Sequence, residues 1–290
     1  MAHKSEHRSR SPLSSLLRLP AGPVDLAGYD PEASPGYPGE GKQDADAMRL
    51  ALEPELSDLQ ERLYAAGRSD PEHAPNLLVI LQGLDTSGKG GVIRHAIGLV
   101  DPQGVQLKAF KAPSKDELAH HYLWRIRNAV PGRGMIGIFD RSQYEDVLVV
   151  RVESLVPESE WSKRYAEINE FEAELAAGGT TIIKCMLHIS SDEQKQRLAE
   201  RLDDPTKYWK YNPGDVDVRL KWAAYQEAYE AALELCNTEA APWHLVPSNK
   251  KWYRDWAVAE LLREKLAGLD LGWPAAEFDV AVEQQRVAAS

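Results

Sequence analysis

The segment Gly83-Leu84-Asp85-Thr86-Ser87-Gly88-Lys89-Gly90 carries the residue types that hold phosphate. Glycine lets the backbone turn so that successive N–H groups converge on one anion. Where such a loop opens a helix, the positive end of the helix dipole adds to them. The backbone of Gly83, Thr86, Ser87, Gly88 and Gly90 would form the cradle, and Lys89 would bring a point charge to it. The spacing follows G-x-x-x-x-G-K-[ST], except that Gly90 stands where a hydroxyl holds magnesium. Magnesium needs hard oxygen ligands, and Asp85 is the substitute within the loop. A strand-to-helix turn that merely needs glycine is the plainer reading. Agreement along the whole pattern, with a strand before it and a helix after it, favours phosphate.

A second group is Met135-Ile136-Gly137-Ile138-Phe139-Asp140-Arg141-Ser142, an apolar run that ends on a carboxylate and a guanidinium. Phosphoryl-transfer proteins with this kind of loop hold a metal through a carboxylate on a neighbouring strand, which is the role read for Asp140. The planar fork of Arg141 suits negative charge spread over a phosphoryl group in transfer. An Asp-Arg pair that caps a helix is the competing reading, and the upstream loop weighs against it. Glu145 and Asp146 follow Tyr144 within one turn, either to orient substrate or metal, or to cap the next helix.

The third group mixes cations with aromatics between Asp203 and Pro213, bracketed by Arg197, Arg201, Lys207, Lys210, Arg219 and Lys221. As a helical lid over residues 200–222 it would fold over phosphates and exclude water. As plain surface it would be a solvated charged face with Trp209 and Tyr211 packed beneath. Lys250, Lys251 and Arg254 open the last predicted helix. Cations there oppose the dipole unless an anion lies nearby, so Lys251 and Arg254 are read as phosphate-binding. Lys108 and Lys111 either reach phosphate or stay exposed. His120 and His121 point in different directions on a helix and are read as structural, and the aromatics of 222–229 as core.

Strands are predicted at 76–82, 104–110, 135–139, 180–189 and 243–246. Helices are predicted at 88–99, 114–128, 160–177, 191–202, 215–236 and 250–266, with Ser114 and Glu117 forming a capping box and Ser191 capping its own helix. A further helix is predicted at 45–66, ended by Gly67. Alternation of this kind means an α/β fold: a five-stranded parallel sheet between two helical layers, with ligands beyond the carboxyl ends of the strands. Residues 1–45 are rich in Ser, Pro, Gly and charge and read as a partly irregular arm; 46–268 form the phosphotransferase domain and 269–290 a tail.

The 290 residues are 43% hydrophobic and 27% charged, an ordinary globular composition. Two cysteines, far apart, exclude a disulfide framework and fit a reduced, cytoplasmic setting. No apolar run approaches a membrane span, and Lys4, Arg8 and Arg10 precede too short an apolar stretch for an export signal. The net charge of −11 argues against nucleic acid as a partner. It leaves room for a basic channel that takes one anionic chain.

Taken together, the glycine loop through Gly91, Phe139-Asp140-Arg141-Ser142-Gln143-Tyr144-Glu145-Asp146 and Tyr208-Trp209-Lys210-Tyr211-Asn212-Pro213-Gly214-Asp215 resemble the second family of polyphosphate kinases, over roughly Tyr29 to Ala257. The resemblance implies a P-loop kinase fold, a three-layer α/β/α sandwich with a helical lid, similar to thymidylate kinase. It implies reversible transfer of a phosphoryl group between inorganic polyphosphate and AMP, ADP or ATP, with guanine nucleotides as further substrates. Mg²⁺ or Mn²⁺ would assist, and the chain would form a homodimer or homotetramer. Asp85 and Asp140 are the implied metal-binding and catalytic carboxylates, and Lys89 and Arg141 the implied phosphate-stabilising cations. Arg201, Lys207 and Lys210 are implied lid contacts to phosphate. Glu145-Asp146 resembles the branch that phosphorylates both mono- and diphosphates, while Gln143 departs from the His or Trp expected there. An ATP-dependent nucleotide or small-molecule kinase on the same fold is the alternative.

Overall fold

Five short segments, four of them largely apolar, become five parallel strands, β1 Asn76–Gln82, β2 Val105–Ala109, β3 Ile136–Asp140, β4 Thr180–His188 and β5 Trp243–Pro247. They lie side by side in the order β2-β3-β1-β4-β5. The computed structural model describes residues 11–290, so Lys4, Arg8 and Arg10 lie outside the described residues. The helices are α1 Leu13–Leu17, α2 Ala45–Leu50, α3 Glu53–Ser69, α4 Lys89–His95, α5 Trp124–Arg127, α6 Val149–Val152, α7 Glu158–Trp161, α8 Arg164–Ala177, α9 Ser191–Asp203, α10 Gly214–Leu220, α11 Trp222–Leu235, α12 Lys251–Ala267 and α13 Val280–Ala288. Side chains alternate across a strand, and here the two sets feed two separate cores. Leu78, Ile80, Phe139, Ile182 and Trp243 pack with α8 and α11. Leu77, Val79, Leu81, Ile138 and Val246 pack with α3, α4 and α12. The result is the expected three-layer α/β/α sandwich with a parallel sheet.

Several elements differ from expectation for identifiable reasons. The helix predicted at 45–66 is two helices, because a proline ring cannot sit inside a helix but is tolerated in its first turn. Pro54 accordingly opens α3. Gly67 does not end α3; a Cβ there would lie 2.5 Å from the carbonyl oxygen of Arg133, so the glycine permits close packing instead. The Ser114–Glu117 capping box forms, with Glu117 N–H donating to Ser114 Oγ at 3.2 Å. Only a 3₁₀ turn follows it, Glu117–Ala119. Leu118 is exposed and supplies no apolar face to bury, and His120 turns the chain extended. The cap of α9 is Ser190 rather than Ser191, accepting from Glu193 N–H at 3.1 Å. The lid region is likewise split, a 3₁₀ stretch Pro205–Lys210 and α10 preceding α11.

Residues 11–45, expected to resist a packed core, supply buried Leu13, Leu17, Leu19, Val24 and Leu26. Polar composition hid these few, irregularly spaced apolar side chains. The tail is the reverse: α13 buries no side chain. Among the described residues no helix is long and apolar enough to cross a membrane.

Candidate active site

The carboxyl ends of β1 and β3 are neighbours, with Leu81 paired in register to Asp140. Beyond β1 the loop turns through Gly83 and Gly88 at φ +148° and +110°, where L side chains rarely go. A Cβ on Gly83 would meet Ser87 Oγ at 2.7 Å and the Leu187 carbonyl oxygen at 2.8 Å; one on Gly88 would meet Arg254 Nη1 at 1.8 Å. Both glycines are therefore required by shape. Gly90 is not: no atom lies within 4 Å of its would-be Cβ. Replacing it with serine is expected to leave the melting temperature unchanged or slightly raised, as helix propensity favours. Thermal melting checks this, and a lowered temperature would show that the position is more confined than its surroundings indicate.

Lys89 is buried, its Nζ donating to the Gly83 carbonyl at 2.7 Å. An ammonium has three donors, so capacity remains for a phosphate oxygen. Burial pushes the Lys89 pKa down, as does the Arg141 charge, while Asp85, Asp140 and Glu145 push the other way. The cation therefore deprotonates earlier than an ordinary lysine as pH rises. On the alkaline side, activity is expected to fall from a lower pH than in Lys89→Arg, whose side chain stays charged. Parallel pH–rate profiles check this, and coincident alkaline limbs would contradict it.

Arg141 occupies the left-handed region at φ +65°, uncommon for a non-glycine residue and typical of strained functional positions. Its N–H donates to the Leu81 carbonyl at 3.1 Å. Nη2 contacts Asp85 Oδ1 at 2.7 Å, and Nη1 lies 3.6 Å from Glu145 Oε2. Burial opposes the guanidinium charge, but the neighbouring Glu145 and Asp85 carboxylates hold its pKa above the ordinary value. For Glu145 the balance runs the other way: burial raises its pKa despite Arg141 and Lys89.

The turn that carries these groups is anchored from below. Gln143 Nε2 and the Tyr144 hydroxyl donate to Glu172 Oε1 at 2.9 and 2.8 Å. Lys184 Nζ donates to Glu172 Oε2 and to the Cys236 carbonyl, both at 2.6 Å. Gln143 thus makes a buried structural bond.

The structure brings Asp85, Lys89, Asp140, Arg141 and Glu145 together around the loop. Arg201 joins them at one remove, its Nη1 lying 3.3 Å from Asp215 Oδ2. Lys207 pairs with Asp204, Lys210 lies over the Trp209 ring, and Lys251 pairs with Glu200. These three stand apart from the loop cluster. Trp209 is 79% exposed, so the reading of a face with this ring packed beneath it fails. Arg254 is buried behind the loop, where Nη1 reaches the Ser87 carbonyl at 3.3 Å and Nη2 pairs with Asp255. Asp146 turns away to Arg164 at 2.9 Å.

Two cavities meet at Arg141 and Glu145. The smaller, about 350 Å³, lies between the loop and the lid and is walled by Asp85, Glu153, Asp215, Tyr225 and Tyr229. The larger, about 950 Å³, runs past Phe110, Lys111, Tyr122, Arg125 and Asp146. Sequence reasoning passed over Asp215, Tyr225 and Tyr229 as wall residues; helical spacing marked the tyrosines as core, which they also are.

Asp85, Glu145, Glu153 and Asp215 give the smaller cavity more carboxylates than cations, which would repel phosphate without an added cation. Burial, then Asp85, raises the pKa of Asp215. Thr86 Oγ1 and Ser87 Oγ are buried with no hydrogen-bond partner. No group of three or more His, Cys, Asp or Glu side chains encloses an ion by itself among the described residues. Magnesium is commonly held by one or two carboxylates and completed by substrate phosphates and water, so the donor set fits such an ion.

The family model of polyphosphate kinase 2 matches residues 41–270. The chain belongs to the polyphosphate kinase 2 family. A relative from Meiothermus ruber, an AMP/ADP-polyphosphate phosphotransferase, is 49% identical over 89% of this chain and 94% of its own length. The ADP-polyphosphate phosphotransferase of Rhodopseudomonas palustris is 39% identical over 87% of this chain and 88% of its own. The crystal structure of polyphosphate kinase 2 from Arthrobacter aurescens TC1 superposes with a TM-score of 0.92 at 52% identity, over 97% of this chain and 98% of that one. Membership in the polyphosphate kinase 2 family makes this chain a phosphotransferase with a P-loop kinase-like fold.

Proposed function

We propose that the protein transfers a phosphoryl group reversibly between inorganic polyphosphate and nucleoside mono- and diphosphates, AMP and ADP foremost, with guanine nucleotides as further acceptors. The observation that carries this is the meeting of two cavities at Arg141 and Glu145. A transfer between two phosphate chains needs such a junction. The donor chain starts at the glycine loop and its further length runs past Arg201, Lys207 and Lys210 of the lid and Lys251 of α12. The acceptor lies in the larger cavity, where Phe110 and Tyr122 offer apolar wall for a base and Lys111 and Arg125 offer charge to its phosphate.

Transfer of this kind asks the protein for alignment and charge rather than covalent chemistry. Backbone N–H groups of the loop and Lys89 hold the donor. Arg141, kept charged and clamped by two carboxylates, stands where the phosphoryl group passes. Asp85 and Asp140 would hold Mg²⁺ or Mn²⁺, which supplies positive charge to the phosphoryl oxygens when bound. Asp215 and Arg201 at the lid base close the site to water. A homodimeric or homotetrameric state and a cytoplasmic location complete the proposal; the two buried free cysteines accord with a reducing compartment.

Supplying long-chain polyphosphate without ATP tests it. With Mg²⁺, sustained ADP and then ATP formation from AMP is expected, and none without the metal. Turnover that demands ATP as donor would support the ATP-dependent kinase instead. The relatives named as polyphosphate phosphotransferases weigh against that second reading.

A further inference from the structure

The first lid helix, α9, does not simply lead away from the phosphate loop; it grips it. Arg197 is 5% exposed and uses each N–H of its guanidinium. Nε donates to Glu193 Oε1 at 2.6 Å. Nη1 donates to the carbonyls of Thr86 and Ser87 at 2.8 and 3.2 Å. Nη2 donates to the carbonyls of Ser248 and Asn249 at 2.6 and 2.9 Å. One turn earlier on the same helix, Gln194 Nε2 donates to the Asp85 carbonyl at 3.2 Å. Three successive loop carbonyls are thus held from the α9 side.

A trans peptide plane points its carbonyl and its N–H in opposite directions. Holding the carbonyls of Asp85, Thr86 and Ser87 toward α9 therefore turns the N–H groups of Thr86, Ser87 and Gly88 away from it. The Ser87 N–H is used inside the loop, on the Leu84 carbonyl at 3.0 Å. Those of Thr86 and Gly88 donate to no acceptor among the described residues and are left for an anion. Thr86 sits at φ +66°, a conformation that surrounding contacts must enforce, and Arg197 bonds its carbonyl directly. The same guanidinium ties the loop to the segment after β5, so three elements share one fastener.

We propose that Arg197 is a positioning residue for phosphoryl transfer: it sets the orientation of the loop peptides and makes the base of the lid move with the loop as one body. Bending of the lid is then confined to the stretch beyond α9, from Asp204 onward. This rests on the function proposed above. Sequence reasoning grouped Arg197 with the basic bracket of the lid, but its donors are all spent on protein oxygens and none is left for a phosphate.

The test is Arg197→Lys, which keeps the charge and loses the five-donor fork. Rates are measured against polyphosphate and nucleotide separately, together with the melting temperature and hydrogen exchange resolved by peptide. A loop misplaced by about 1 Å costs about 10²-fold in turnover, so kcat is expected to fall by about that factor while the KM for nucleotide stays unchanged. Exchange across residues 85–89 is expected to accelerate while β4 keeps its protection. Wild-type kcat in a folded variant would overturn the proposal, and so would faster exchange spread evenly over loop and β4, the mark of plain destabilisation. If Arg197→Lys does not fold, Gln194→Leu removes the bond to the Asp85 carbonyl together with one accepted from Arg219 Nη1 at 3.2 Å; an unchanged kcat there would equally overturn it. Absence of polyphosphate turnover in the unaltered protein would instead sink the function, and the exchange comparison would still decide the role of Arg197.

Discussion

Asp85→Asn is expected to lower kcat by about 10³-fold or more, the scale of roughly 4 kcal/mol or greater for removing a major charge-stabilising group from a phosphoryl-transfer site. The carboxylate has two tasks that a neutral amide performs far less well. It accepts from Arg141 Nη2 at 2.7 Å, holding a residue whose backbone already lies at φ +65°. It is also the one acid inside the glycine loop, where Gly90 offers no hydroxyl to a cation. Folding is expected to survive, because Asp85 is only partly buried and its backbone carbonyl keeps the bond from Gln194. Steady-state rates across a range of magnesium concentration, with melting temperatures alongside, check the expectation. Asp140→Asn is expected to behave in the same way. Near-normal turnover in either variant would remove that residue from the mechanism.

The second large effect is on stability. Glu172 and Lys184 are both fully buried and paired at 2.6 Å, and Glu172 also takes the Tyr144 hydroxyl and the Gln143 amide. Glu172→Ala strips an acceptor from three donors at once and leaves a buried ammonium without its counter-charge. Removing one partner of such a pair costs about 3–5 kcal/mol. An internal control lies two residues further along α8. Glu174, paired with Arg127 at 2.8 Å but well exposed, should give a far smaller change when replaced by alanine. Denaturant unfolding of both variants decides the matter. Equal effects would mean that the buried pair contributes no more than a surface one. Because the same network seats the turn bearing Arg141 and Glu145, Glu172→Ala should also depress activity beyond what its unfolded fraction explains.

The order of strands and helices was legible because each strand is a short run between turn residues, and two of them, β1 and β3, carry the chemistry at their carboxyl ends. Loop and Asp-Arg pair were legible for the same reason: local spacing encodes local shape, and the sheet register then brings Leu81 and Asp140 level. What stayed hidden depends on contacts distant in the chain. Nothing local distinguishes Arg197, which spends its donors on carbonyls, from Lys207, which stands 46% exposed in a side-chain pair with Asp204. Both are cations near one helical hairpin. Asp215 closes the third sequence motif with no role assigned to it, and only the fold of α10 back over the loop makes it a wall of the cavity. The segment after the second strand misled in the opposite way. Its capping box is real, but a cap starts a helix without supplying an apolar stripe to sustain it.

The run from residue 11 to residue 45 has a consequence for the margin of the sheet. β5 is an outermost strand, and an unshielded margin of that kind invites pairing with another chain. Here Arg18 bridges to His244, and Leu19 N–H reaches the Trp243 carbonyl at 2.9 Å. Glu264 fastens the start of the same run through the N–H groups of Leu13 and Ser14. A stretch whose composition advertises a loose tether thus acts as a hem, and cuts or insertions within it would reach the folding unit itself.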